Sequence, residues 1–344
     1  CITIINELIH LNFEVIIAAF DSAFSLLKKE FPSLVFLRYK GYEIKYSRSK
    51  KFFSLKIISQ FPHIVFSVWK ETKWLEKTIK EQQIDAVISD NRFGMYSKKI
   101  PSIYITHQLA IKTGNQFTEF IVQKIHYYFI KKYLQCWVPD DKEIGLAGEL
   151  SHPQKIPSNV VFIGPLSRLK PLLNIEKIYD LLVTISGPEP VRTIFENKIL
   201  NQLQSFPGKA ILIRGLPSDN YNLQSSKQLE IKNHLSAEEL NKAMEQSKMF
   251  IGRCGYTTIM DLAALRKKAI LIPTPGQTEQ EYLAKYLLEK KYFFSEDEEN
   301  FSIEDALQKA SEFEFVNIGL SLDEYKKAIN EFVLSLKSGN FATQ

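Results

Sequence analysis

The sequence predicts an α/β protein built from two doubly wound domains, and three observations carry that expectation. Short, continuously apolar runs such as AVIS (86–89), AILI (210–213) and AILI (269–272) recur along the 344 residues. Runs without alternation suit parallel strands covered on both faces. Between them lie longer stretches with apolar residues at helical spacing, and strands alternating with helices build parallel sheets. The length exceeds what one compact core usually spans, so two domains are expected.

The opening stretch CITIINELIH places Ile2, Ile5, Leu8 and Ile9 on one helical face, so the chain begins inside a helix that ends near His10. A strand buried on both faces is expected over 13–19 (FEVIIAA), followed by strands at 34–37, 86–89, 102–106, 136–138 and 160–163. The long amphipathic helices of this half are expected at 67–82 and 118–134. A doubly wound domain normally opens with a strand that leads into a ligand-facing loop. That strand and loop are not in the sequence, so the first domain is read as truncated at its start, since a parallel sheet without a central strand carries unpaired backbone.

Around 164–172 the sequence GPLSRLKPL interrupts the pattern with two prolines and a glycine, and a new alternation begins. Strands are expected at 180–185, 210–213, 229–231, 248–251, 269–272 and 292–294, with a closing helix over 322–336. The domains are therefore drawn as 1–164, 165–321 and a closing helix and tail over 322–344. The acidic run EDEEN at 296–300 reads as a solvated turn and helix start.

Composition narrows the function. The chain is 45% apolar and 24% charged, and no window of about 18 apolar residues survives unbroken, which excludes an integral helical membrane protein. A net charge of +5 is a mild basic excess spread along the chain rather than gathered into a nucleic-acid arm. Cys1, Cys136 and Cys254 are too few and too distant for a metal site or a disulfide framework, so reduced thiols in a cytoplasmic protein without a metal are expected. The run KKFFSLKIISQFPHIVFSVWKETKW (50–74) combines aromatics and lysines suited either to a membrane surface, on the inner face, or to an amphipathic core-covering helix.

Ligands bind at the carboxyl ends of parallel strands, so the residues that follow each strand carry the functional reading. After DLLVTI comes Ser186-Gly187-Pro188-Glu189-Pro190-Val191-Arg192, where Ser and Gly permit close backbone approach and Arg192 can face phosphate oxygens. An ordinary strand-to-helix turn explains it too. After KMFI comes Gly252-Arg253-Cys254-Gly255-Tyr256-Thr257-Thr258, in which Gly255 exposes backbone N–H groups and Thr257 or Thr258 caps a helix and donates to a diphosphate. Asp261, one turn later, can accept from ribose hydroxyls, although capping alone accounts for a single Gly-Thr start. After the second AILI, PTPGQTEQEY gathers Gln277, Gln280 and Glu281, donors and acceptors suited to sugar diols or simply to a polar loop before an exposed helix. In the first half, Asp90, Asn91 and Arg92 follow one strand, and His107 and Gln108 follow another.

SGPEPVR, GRCGYTTIMDLAAL and AILIPTPGQTEQEYLA together resemble the nucleotide-sugar-binding half of GT-B glycosyltransferases of the family 28 and MurG-like group. The resemblance implies two Rossmann-like domains facing a cleft. It also implies donor contacts from Ser186, Gly187, Glu189 and Arg192, and a base pocket at His234 and Leu235. Gly255, Tyr256, Thr257 and Thr258 would hold the diphosphate, Asp261 the ribose, and Gln277, Gln280 and Glu281 the sugar. Cys254 stands where the family commonly has Ser, and reads as a packed residue rather than a nucleophile. Glu281 stands where Gln is common, which bears on the donor sugar. THQL at 106–109 resembles the acceptor-side His-Glu-Gln-Asn region, without its Glu. Asp90 and His107 are the candidate bases, with Asn91, Arg92 and Gln108 on the acceptor side. The family's Gly-rich, His-containing first loop is the part absent from the sequence.

The resemblance implies an inverting, metal-independent, cofactor-free hexosyltransferase. It would take a UDP-sugar such as UDP-N-acetylglucosamine to a carbohydrate or lipid-linked acceptor, with peripheral membrane contact and no nucleic-acid partner. A UDP-sugar 2-epimerase and a catalytically empty nucleotide-sugar-binding protein are the alternatives.

Overall fold

The computed structural model describes residues 1–39, 50–112, 115–217, 221 and 223–338, with the side chains of 21–22 and 50–64 outside that description. The chain divides into two compact units, Cys1–Leu166 with Ser321–Gln344, and Ser167–Leu320.

In the first unit α1 (Ile2–His10), β1 (Ile16–Ala19), α2 (Asp21–Glu30) and β2 (Val35–Arg38) precede the long α3 (Lys50–Gln82). Then come β3 (Val87–Asp90), β4 (Ser102–Ile105), α4 (Gln116–Ile130), β5 (Gln135–Val138) and β6 (Val160–Phe162). Strands β3, β4, β5 and β6 form a parallel sheet in that order, and β1 pairs in parallel with β2. β4 is buried throughout because Leu109 just after the strand, Ile130 at the end of α4 and Tyr133 beyond it pack with Tyr104. β1 departs from the expected strand buried on both faces: it starts three residues later and leaves Ala18 exposed. α3 starts well before the expected residue 67, and the side chains that begin it, the amino-terminal part of the 50–74 run, lie outside the described residues.

The second unit contains β7 (Tyr179–Thr184), α5 (Val191–Leu203), β8 (Ala210–Ile213), β9 (Leu229–Lys232), α6 (Ala237–Glu245) and β10 (Ser247–Arg253). α7 (Tyr256–Ala264), β11 (Ala269–Ile272), α8 (Thr278–Glu289), β12 (Phe294–Ser295) and α9 (Ile303–Glu312) complete it. α10 (Glu324–Ser338) belongs to the first unit, where it packs on α1 and sets Phe332 edge-on to Trp137 at 5.7 Å.

The six strands form one parallel sheet in the order β12-β11-β10-β7-β8-β9. Leu181, Val183, Leu212 and Ile251 meet Phe195 and Ile199 of α5 and Ala306 of α9 in one core. Their alternate neighbours Leu182, Ile211 and Leu271 are also buried, so helices cover both faces, as unbroken apolar runs require. Each such side chain contributes roughly 1.5–3 kcal/mol. β10 runs two residues further than expected, through Gly252 and Arg253. A Cβ at Gly252 would lie 2.7 Å from the Thr184 hydroxyl, so only glycine lets β10 stay paired with β7 to this depth.

Candidate functional site

The strand order of the second unit reverses between β7 and β10: β8 and β9 continue on one side, β11 and β12 on the other. At such a reversal the loops leaving the carboxyl ends diverge and open a crevice. The two turns that flank it are residues 185–190 after β7 and Cys254-Gly255 after β10.

The turn after β7 exposes Ser186, Gly187, Pro188 and Glu189. Gly187 has φ +115°, in the region that favours glycine, and a Cβ there would meet nothing within 4 Å, so the turn is held open by backbone conformation rather than by crowding. Arg192 does not face outward as the sequence suggested. Its Nε donates to Glu189 Oε1 at 2.6 Å, Nη1 to the Arg214 carbonyl at 3.1 Å and Nη2 to Glu196 Oε2 at 3.1 Å. Glu196 draws the guanidinium inward because it also accepts from Arg214 Nε at 2.6 Å, and both carboxylate and arginines are buried. Glu189, its carboxyl held below the ordinary value by the Arg192 hydrogen bond, also accepts from the Thr193 N–H at 3.3 Å. The amino terminus of α5 is thus closed partly by the chain's own carboxylate.

The turn after β10 is different. Gly255 is the N-cap of α7, in extended conformation, and as a glycine it supplies no side-chain cap of its own. The expectation that Thr257 or Thr258 caps the helix is corrected: both lie inside its first turn, Thr257 exposed and Thr258 half-buried. Their N–H groups and that of Tyr256 are among those that receive no acceptor from within the helix. A Cβ on Gly255 would again meet nothing within 4 Å. Below the turn, Cys254 is fully buried and its thiol is pushed well up by burial, which fits the packed residue expected.

Arg253 is 2% exposed; it lies 4.0 Å from the Phe195 ring and pairs with Glu298 at 2.6 Å. Glu298 therefore belongs to the interior, and the acidic run at 296–300 is not merely a solvated turn. Asp261 is also enclosed. Its Oδ1 accepts from the Ser167 hydroxyl at 2.6 Å, and burial pushes its carboxyl up to about 6. The open ribose acceptor read from the sequence is, in the structure, a buried group that holds α7 to the start of the unit.

After β11 the polar run turns back on itself. Gln280 Oε1 accepts from the Thr274 N–H at 2.9 Å, Glu281 Oε1 from the Gly276 N–H at 2.9 Å, and Gln280 Nε2 donates to Gln277 Oε1 at 2.6 Å. These side chains brace the Pro273–Gly276 turn, and each remains half-buried at its surface. After β9, His234 is exposed and Leu235 half-buried, just before the capping box in which Ser236 Oγ accepts from the Glu239 N–H and Glu239 accepts from the Ser236 N–H. Arg214 Nη1 donates to Asn233 Oδ1 at 2.8 Å, so the Arg192–Glu196–Arg214 cluster reaches from the β7 turn to the β9 loop.

In the first unit Asp90 ends β3, exposed, and its Oδ2 accepts from Cys1 Sγ at 2.8 Å. His107 and Gln108 follow β4, the neighbouring strand, whose Ile105 is in register with Asp90. Asn91, at φ +57°, accepts from the Tyr104 hydroxyl at 2.9 Å. Arg92 is not free for an acceptor: Nη1 donates to the buried Glu71 at 3.1 Å, and its guanidinium lies 4.4 Å from the Phe20 ring. Burial raises the Glu71 carboxyl, Arg92 and the Gly94 N–H opposing it. A Cβ at Gly94 would lie 2.5 Å from Glu71 Cβ, which is why glycine follows Phe93. Among the described residues no group of three His, Cys, Asp or Glu is gathered to hold a metal ion.

Residues 197–317 match the glycosyltransferase family 28 C-terminal domain. The second unit carries a family 28 glycosyltransferase domain. The match runs from midway along α5 through α9, and so includes the β10 turn and the β11 loop but not the turn after β7. Among solved structures, this glycosyltransferase is similar to the glycotransferase of kitacinnamycin (14% identity, TM-score 0.62), with 97% of this chain and 91% of that one covered. It is also similar to MurG of Acinetobacter baumannii (12%, TM-score 0.51, covering 98% and 89%). A third is S. aureus MnaA, solved with UDP (11%, TM-score 0.53, covering 98% and 93%). At such identities the likeness establishes the fold, GT-B with two Rossmann-like domains. No curated protein matches the chain.

The sequence reading of this glycosyltransferase missed its buried charges. Glu196 carried a signal, standing four residues after Arg192 on one helix, where opposite charges meet. Arg214, Glu298 and Glu71 carried none, because their partners come from distant elements.

Proposed function

We propose that the chain is an inverting, metal-independent hexosyltransferase. It takes its sugar from a UDP-linked donor, UDP-N-acetylglucosamine or a similar hexose, and passes it to a carbohydrate or lipid-linked acceptor. The observation that carries this reading is the glycine start of α7 at the strand-order reversal, where a Cβ on Gly255 would meet nothing within 4 Å, beside the exposed Ser186-Gly187 turn. A helix amino terminus, whose dipole amounts to roughly half a positive charge, suits a diphosphate. UDP in the similar MnaA structure supports the same ligand class.

In the reaction the acceptor oxygen attacks the anomeric carbon from the face opposite the diphosphate. The bond from that carbon to the β-phosphate oxygen breaks, and the electron pair leaves with UDP. The N–H groups of Tyr256, Thr257 and Thr258 and the two threonine hydroxyls take up the growing charge, already oriented before the reaction. Gln277, Gln280 and Glu281 are assigned to the sugar hydroxyls, and His234 and Leu235 to the base. Asp90 and His107 are the candidates to receive the acceptor proton.

The test is UDP release from UDP-sugars, with EDTA present throughout, and UDP affinity measured by calorimetry. Thr258→Val is expected to weaken UDP about fivefold, the loss of about 1 kcal/mol for one hydroxyl hydrogen bond. Unchanged affinity in a normally folded variant removes Thr258 from the site, and failure of the parent chain to bind UDP refutes the donor assignment.

A further inference from the structure

Asp140 stands two residues beyond β5, fully buried, and the site described above does not use it. Its Oδ1 accepts from the N–H groups of Asp141 and Leu146, both at 2.8 Å. Its Oδ2 accepts from the Ala147 N–H at 2.9 Å and from the Ser151 hydroxyl at 2.5 Å. His152 closes the set, its Nδ1 lying 2.8 Å from Ser151 Oγ and its ring stacked on Phe162 at 4.5 Å. A buried carboxylate costs free energy unless hydrogen bonds satisfy it. Donors spread over 141–151 converge on this one, so the loop is drawn into a knot around it.

The knot reaches the turn of the neighbouring strand. The Leu150 carbonyl, one residue before Ser151, accepts from the N–H groups of Leu109 and Ala110 at 2.7 and 2.8 Å. Those residues directly follow His107 and Gln108. Leu109 and Leu150 are both fully buried, so water does not compete for these bonds. At the near end of the turn, the Gln108 N–H donates to Thr106 Oγ1 at 3.1 Å. The His107 turn is thus fixed to its own strand at one end and to the Asp140 loop at the other.

We propose that Asp140 is a positioning residue: through Ser151 and the Leu150 carbonyl it sets the place of the turn that carries His107 and Gln108. It acts through the loop and touches no substrate. The proposal rests on the reading of His107 as a receiver of the acceptor proton, since only then does the place of that ring govern the rate. A reacting group misplaced by about 1 Å costs about a hundredfold.

The test compares Asp140→Asn, Ser151→Ala and Asp141→Asn in the full chain. The His107 ring signal is followed by NMR with isotope-labelled histidine and identified by its loss in His107→Gln. Asn at 140 turns an amide NH2 toward N–H groups that need an acceptor, and Ala at 151 removes one donor. Asp141→Asn keeps the oxygen that accepts from the Glu143 and Ile144 N–H groups at 2.9 and 2.8 Å, within the same loop. Asp140→Asn and Ser151→Ala are expected to move the His107 signal and to lower kcat for UDP release by up to about a hundredfold, with KM for the UDP-sugar unchanged. Asp141→Asn is expected to change neither. If Asp140→Asn does not fold, Ser151→Ala decides. A parent chain that releases no UDP refutes the transfer reading, and the His107 signal still tests the positioning. An unmoved His107 signal in folded Ser151→Ala, a loss of kcat matched by a rise in KM, or an equal response in Asp141→Asn overturns the proposal.

Discussion

Replacing Asp261 by Asn is expected to stabilise the protein above pH 6. The carboxyl is 9% exposed, its Oδ1 accepts from Ser167 at 2.6 Å, and burial raises it from 3.8 to about 6. A raised acid favours its protonated form in the folded state, so the folded chain binds more protons than the unfolded chain between pH 3.8 and about 6. Stability is then greatest below the unfolded value and is lost as pH rises through the folded one. At about 1.36 kcal/mol per unit, the full loss is roughly 3 kcal/mol, an upper bound for a group that solvent still touches. Asn keeps the size and the acceptor oxygen for Ser167 but carries no charge to bury. Urea unfolding of parent and Asp261→Asn at pH 4 and pH 8 is the assay. The two are expected to converge at pH 4 and separate by up to about 3 kcal/mol at pH 8, with the variant the more stable. Equal separation at both pH values would show that the carboxylate is not held in its unfavourable form, and would refute the reasoning.

Three further outcomes are expected. His126 is 4% exposed, neither ring nitrogen has a hydrogen-bond partner, and burial lowers it from 6.5 to about 4. Its contribution is intact above pH 6.5 and is lost as pH falls towards 4, about 3 kcal/mol in all; His126→Phe, among Phe93 and Phe129, is expected to flatten acid unfolding, and an unchanged acid profile counts against this. Glu196→Gln leaves two buried guanidiniums facing a neutral amide and is expected to cost about 3 kcal/mol or more in urea unfolding; a loss below about 1 kcal/mol would show that solvent already screens the cluster. Gln280→Ala removes the acceptor of the Thr274 N–H and is expected to alter preference among UDP-sugars more than affinity for UDP, which competition calorimetry reads; equal losses for both contradict a sugar-facing role.

The sheets were largely legible because their strands are unbroken apolar runs. The AILI strands at Ala210–Ile213 and Ala269–Ile272 fall where expected. The strand expected at 292–294 is found at Phe294–Ser295, since Tyr292 and Phe293 complete the end of α8 through bonds to Leu287. The places of the turns after β7, β10 and β11 were legible too, because they follow directly from those strands. The direction of each side chain was not. Arg192 and Asp261 read as ligand contacts by position, yet one turns toward Glu196 and the other toward Ser167. Those partners stand on the same helix and 94 residues away, respectively. Tertiary pairing of that range leaves no local pattern to read.

The two turns at the strand-order reversal show why polar density alone misleads. Most of the polar groups around them are occupied in holding the turns: Glu189 with Arg192, Gln280 with Thr274, Arg253 with Glu298, Asp261 with Ser167. The start of α7 differs in its N-cap, a glycine that brings no side chain to the helix amino terminus. A group that stabilises a leaving diphosphate works best when it need not reorganise as charge develops. Backbone amides fixed between a buried arginine below and a buried aspartate one turn on meet that condition better than mobile side chains would. In the reaction proposed above, the fixed charges around α7 would therefore act on the donor through the rigidity of its amino terminus rather than by contact.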